Sequence, residues 1–165
     1  MNKDFLDKIY LSIETSGLTP IDFKIIEIAA LKIDEFNNKS LFHKLINPQK
    51  ELGEEVTKLT LISNEDLKNQ KNFDQIKDQL ISFLGKTKIV VNHNKFIKGF
   101  LNKEIGNNIS NEFIDINEFF NQKFPNESSS FNSILEKFEL KINTNFSQTL
   151  NEVLILPNIY QKLLD

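Results

Sequence analysis

Three apolar-rich runs open the chain, each closed by turn-forming residues. The first covers Lys8 to Ile13, and Thr15 to Pro20 (TSGLTP) turns the chain, with Gly17 free to take a positive φ. The second covers Phe23 to Ile33 and meets a turn at Asn37-Asn38. The third covers Ser40 to Ile46 and stops at Asn47-Pro48. These read as an antiparallel three-strand meander. The apolar period then lengthens. Phe73, Ile76, Leu80, Phe83 and Leu84 form a helical stripe that Gly85 ends. Shorter helices are expected at Glu54 to Leu59 and Asn64 to Gln70, the latter with Ser63 as N-cap. Lys88 to Asn92 reads as a short buried strand and Phe113 to Asp115 as another. Helices follow at Lys95 to Lys103, Ile116 to Lys123, Ser129 to Phe138 and Ser147 to Leu164, where Pro157 should kink or split the last. The expected fold is α/β: a mixed sheet, antiparallel meander plus parallel strands, flanked by helices. Neither a repeat nor a Pro/Gly/Ser-rich seam divides the chain, so residues 1–165 are expected to form a single domain.

Composition narrows the chemistry. The sequence has no cysteine, which excludes disulfides, thiolate metal ligands and cysteine nucleophiles. No run approaches the ~18 apolar residues of a membrane helix, and the first residues lack a secretory signal's apolar stretch. A cytoplasmic protein with no membrane partner is the expectation. The net charge is −3, and all 20 basic residues are lysine. Without arginine there is no bidentate fork for phosphate or guanine. Charge is nevertheless uneven: Gly85 to Lys103 holds no acid and five lysines, Lys95 and Lys98 among them. That segment reads either as a phosphate-backbone contact or as a solvated helix face.

Several short motifs, in order, carry a family resemblance. Ser12-Ile13-Glu14-Thr15-Ser16-Gly17-Leu18-Thr19-Pro20 resembles the D-x-E-T-T-G-L-x-P motif of the DnaQ-like (DEDDh) 3′-5′ exonucleases, which include the epsilon proofreading subunit of bacterial DNA polymerase III. Ile25-Ile26-Glu27-Ile28 is similar to the family's I-I-E-I. Asn47-Pro48 and Leu59-Thr60-Leu61-Ile62 fall where it has N-P and T-G-I. Val90 to Leu101 (VVNHNKFIKGFL) resembles its second motif, V-A-H-N-A-x-F-D-x-x-F-L. The resemblance spans about residues 8 to 164. It implies a ribonuclease H-like sheet and a site in which four carboxylates hold two Mg or Mn ions about 4 Å apart, with a histidine as general base.

This chain departs from that set at almost every position. The first aspartate is Ser12, while Glu14 is kept. Ungapped alignment puts Ile97 at the second-motif aspartate. The third motif, H-x-x-x-x-D, is matched best by Phe146 to Asn151, with Phe146 for the histidine and Asn151 for the aspartate. Shifting that motif by one residue brings in Glu152 but puts Ser147 at the base position. One helical step turns a side chain by about 100°, so Glu152 is expected to point elsewhere. A gapped second motif would align His93-Asn94 with the family's H-N and still leave Ile97. Asp115 matches a D-T pair that opens a helix. His43 is expected to be structural.

One carboxylate cannot offset four metal charges. No metal cofactor is therefore expected, and Glu14 is read as a relic able at most to hold one ion weakly. Thr15 and Leu18 match positions that hold the terminal nucleotide, or they simply shape the turn. The favoured reading is an exonuclease fold that binds a single-stranded DNA or RNA end, or a protein, without cleaving. The alternatives are an active divergent exonuclease, or an epsilon-like subunit docking on a polymerase or another replication protein. The chain ends at Asp165 without the tail that such subunits use, which disfavours the last.

Overall fold

The computed structural model describes residues 4–106 and 109–165. Its strands are β1 (Lys8–Thr15), β2 (Ile25–Ile33), β3 (Lys39–Leu45), β4 (Lys88–Val91) and β5 (Phe113–Asp115). Its helices are α1 (Glu54–Thr60), α2 (Asn64–Leu67), α3 (Phe73–Leu84), α4 (Asn94–Ile105), α5 (Ile116–Lys123), α6 (Phe131–Lys137) and α7 (Gln148–Leu164). The sheet order is β3-β2-β1-β4-β5. β1, β2 and β3 pair antiparallel, while β4 pairs parallel with both β1 and β5. This is the mixed sheet expected from the apolar pattern.

The period-two alternation of the strands sorts side chains onto two faces. Ile9, Leu11 and Ile13 of β1 join Ile89 and Val91 of β4 in a core closed by α3 and α4. Tyr10, Ala29, Leu31 and Val90 face the other way, into a core closed by α5, α6 and α7. Ser12 and Glu14 keep step with Tyr10, and Glu27 keeps step with Ala29. All three therefore point to the face across which α7 lies, packed on β1 and β2. Buried polar groups in that layer must find partners, because each unsatisfied one costs about 1–3 kcal/mol.

Two elements differ from expectation. The β2–β3 turn is built on Asp34, whose carboxylate accepts the Phe36 and Asn38 N–H groups while Asn37 takes φ 66°. Pro157 does not split α7, which runs as one helix from Gln148 to Leu164. The ring forfeits one intrahelical hydrogen bond, but Val153, Leu156, Ile159 and Leu163 bury the surrounding turns and hold the helix to the sheet. Among the described residues no helix is long and apolar enough to cross a membrane.

Candidate functional site

At the carboxyl end of β1, Ser12 and Glu14 share a face two residues apart. Ser12 is buried, and its Oγ donates to Glu152 Oε2 of α7 at 2.8 Å. Asn92, just past β4, also hydrogen-bonds the Glu152 carboxylate. Glu27 of β2 stands opposite Glu14 in the β1–β2 register. Its Oε1 accepts from Ser147 Oγ at 2.6 Å and lies 2.7 Å from His43 Nε2 of β3. Three carboxylates, Glu14, Glu27 and Glu152, thus gather under α7, and two of them are gripped by serines.

The electrostatics follow from burial. Glu14 has its pKa pushed up to about 7, first by loss of solvent and further by the charges of Glu27 and Glu152, against the Thr15 backbone hydrogen bond that favours ionisation. Burial also raises the Glu152 carboxyl, against the stabilising bonds from Ser12 and Asn92. Among the described residues no three His, Asp or Glu side chains come together in a way that could hold a metal ion.

The structure places the sequence-derived positions as follows. Asn151 does not face Ser12. Its side chain accepts the Asn143 N–H and donates to the carbonyls of Asn143, Phe146 and Ser147, tying down the loop before α7. Glu152, expected to point away, is the residue that meets Ser12. Both neighbours are buried because α7 is covered over a wide arc, so a single helical step changes the partner and not the burial. Phe146 is 43% exposed on that loop. Ser147, five residues before Glu152, caps α7 and accepts the Leu150 N–H.

Ungapped alignment gives Ile97 the position of the second-motif aspartate. The residue belongs instead to the α3–α4 core, on the other face of the sheet, and is 3% exposed. His93 caps α4 in a left-handed conformation (φ 66°), with Nδ1 3.4 Å from the Asn117 amide. That amide also donates to Asn92 Oδ1. Asp115 opens α5 as its N-cap and also accepts the Asn94 N–H at 2.8 Å. Lys98 lies over the Phe113 ring, 5.5 Å from its centroid, and Lys95 is exposed at the start of α4. Glu27, His43 and Ser147 form a polar cluster that motif matching alone did not assemble. The signal available was the shared alternation of Glu14, Glu27 and His43 across neighbouring strands.

The β1–β2 loop is closely packed. Thr15 Oγ1 donates to the Gly17 carbonyl at 2.7 Å, and Leu18 is 83% exposed at the tip. A Cβ on Gly17 would stand 2.3–2.5 Å from the Phe23 ring. Gly17→Ala must therefore push Phe23 from its seat on the α3–α4 core. A loss of about 1–3 kcal/mol is expected, read as a lowered midpoint in urea. An unchanged midpoint would show that the ring moves freely.

Comparison with known proteins bears on this geometry. A family model described as "Exonuclease" matches residues 10–145. DNA polymerase III subunit epsilon of Buchnera aphidicola subsp. Baizongia pistaciae is 25% identical over 174 residues, covering 96% of this chain and 71% of that protein. The PolC-type DNA polymerase III of Thermotoga petrophila is 29% identical over 137 residues, and the match spans 80% of this chain but only 10% of that polymerase. Among solved structures, the nuclease domain of 3'hExo, a DEDDh family member bound to rAMP, superposes with a TM-score of 0.79 at 17% identity, covering 99% of this chain and 94% of that one. Exonuclease X in complex with 5′ overhanging duplex DNA gives 0.78 at 14%, covering 95% and 90%. At these identities the superpositions establish the fold.

Proposed function

The chain belongs to the DnaQ-like 3′-5′ exonuclease family, and from that membership we propose that it keeps the family's fold to bind a single-stranded nucleic-acid end without two-metal hydrolysis. The carrying observation is the Ser12–Glu152 hydrogen bond. At the first strand, where the family sets a metal-bound carboxylate, a neutral hydroxyl donates its proton to the one carboxylate that α7 supplies. Glu27 is likewise occupied by Ser147 and His43. Ile97 lies across the sheet. These groups do not fit a pair of divalent ions, which need several ionised oxygens converging from one side.

The same substitutions make the surface less repellent to a polyanion. With Ser12, Ile97 and Asn151 neutral where the family has carboxylates, Lys95 and Lys98, both exposed on α4, meet less opposing negative charge. The β1–β2 loop, with Thr15 and Leu18, would receive the terminal nucleotide. Exonuclease X is seen with DNA and 3'hExo with rAMP, which supports a nucleic-acid ligand and leaves the choice between DNA and RNA to experiment. A cytoplasmic setting suits a cysteine-free chain. An epsilon-like place beside a polymerase is the second reading, favoured by the match over 96% of the chain to a polymerase III epsilon subunit.

The test is calorimetric titration with magnesium and manganese, followed by incubation with an end-labelled single-stranded oligonucleotide. The expected result is no metal heat, an intact oligonucleotide, and binding by anisotropy that weakens as salt rises. Replacing Lys95 or Lys98 by Gln should each lower the salt slope by about one. Stepwise shortening from the 3′ end with metal, abolished by Glu14→Gln, would overturn the proposal in favour of a divergent nuclease. Co-purification with a polymerase, without affinity for oligonucleotide, would favour the second reading.

A further inference from the structure

The carboxyl ends of β1, β4 and β5 lie side by side in the sheet, and ligands of such sheets gather beyond those ends. The carboxylate cluster takes up the β1 side. Beyond β4 and β5 lies a separate open cavity of about 550 Å³, lined by His93, Lys95, Phe96, Asp115 and Glu118. Its groups divide by what they are free to do. Asp115 is committed: its two oxygens accept the N–H groups of Asn94 at 2.8 Å and Asn117 at 2.9 Å. Phe96 is half-buried and fixed by packing on Phe100, ring centroids 5.0 Å apart. Glu118 is exposed and has no hydrogen-bond or ion-pair partner among the described residues, and the same holds for Lys95.

A fixed aromatic surface beside a free carboxylate selects a particular ring. The aromatic surface favours a flat heterocycle of any kind, since every nucleobase has a π-face. The carboxylate accepts hydrogen bonds and donates none. It repels a phosphate, so the phosphate stays outside, with Lys95. It also disfavours the carbonyl edge of thymine or uracil. Guanine presents two adjacent donors, N1–H and the N2 amino group, which match the two carboxylate oxygens.

We propose that the cavity between the starts of α4 and α5 is a base-recognition pocket for guanine, with the ring on Phe96 and its Watson–Crick edge on Glu118. This rests on the binding reading above and adds a base preference to it. The guanine can arrive on a strand or as a free nucleotide, and the experiment separates the two sources.

Fluorescence anisotropy would compare a short alternating guanine–thymine strand, the same strand with inosine for guanine, and an all-thymine strand of equal length. The guanine strand is expected to bind about fivefold or more tighter than the all-thymine strand, with inosine between them because it lacks only the N2 amino group. Glu118→Gln, at an exposed position that leaves packing untouched, should bring the ratio close to one, since an amide serves either edge. Lys95→Gln should weaken all strands alike and leave the ratio unchanged. Displacement of the guanine strand by guanosine monophosphate would support the pocket with a free nucleotide as its ligand. Displacement only by a guanine-containing strand would support it with a strand. Equal affinity for all three strands, unaltered by Glu118→Gln, would overturn the pocket and leave the binding reading standing. No affinity for any strand would overturn both.

Discussion

Ile97→Asp, which writes the family's second-motif carboxylate back into the chain, is expected to destabilise the protein severely and not to restore a metal site. Ile97 sits 3% exposed among Ile13, Ile25, Phe100 and Leu101 in the α3–α4 core. Removing a buried isoleucine side chain by itself costs about 2–5 kcal/mol. The new carboxylate would add the penalty of a buried charge without a partner, or would take up a proton to avoid it. A loss of at least about 4 kcal/mol is expected, a large share of the 5–15 kcal/mol that holds a typical domain together. Ile97→Val should cost only about 0.5–1.5 kcal/mol and serves as the control. Urea unfolding of the two variants gives the comparison. An Ile97→Asp protein as stable as the parent, with new heat on manganese titration, would mean that α4 can rotate this position to the other side of the sheet.

That prediction marks where the sequence stopped being legible. α3 was readable because two local signals agree, a stripe that includes Phe73, Ile76, Leu80 and Leu84 and Gly85 at the exit, while the Asn72 cap came only with the structure. The strand order followed from short turns within the meander and helices between the later strands. Face assignment in β1 was also within reach, since Ser12 and Glu14 alternate with Ile13. The third motif was not. Asn151 and Glu152 are consecutive on a helix buried over a broad arc, and nothing local distinguishes which of them looks at Ser12. The choice is made by long-range seating, because Asn151 is used to anchor the loop from Asn143 to Ser147. The same limit applies to Ile97. An ungapped alignment gives it a family position, but the side chain's destination depends on how α4 packs against α3 and β5. That Pro157 does not split α7 has a related reason. A local rule ends helices at proline, and the tertiary burial of α7 outweighs it.

The second large effect is a fall in stability as pH rises. In the unfolded chain the Glu14 carboxyl ionises near its ordinary value of 4.5, whereas in the folded protein it holds its proton up to about 7. Between those values the folded state binds more protons than the unfolded state, so raising the pH favours unfolding. The contribution is fully present below about pH 4.5 and is lost as pH rises through about 7. Glu152, raised by burial, acts with the same sign. The groups facing Glu14 do not cancel the effect, since Glu27 on β2 and Glu152 on α7 both carry charge of its own sign. For Glu14 the full separation would correspond to about 3 kcal/mol. Its partial contact with solvent reduces this to about 1–2 kcal/mol. Urea midpoints measured from pH 4.5 to pH 8 should therefore decline. Glu14→Gln, which keeps the shape and removes the titration, should flatten the decline and leave the variant more stable than the parent at pH 8. A parent midpoint that climbs with pH would mean that Glu14 is held ionised by a positive partner, and it would return a bound cation to consideration at this end of β1.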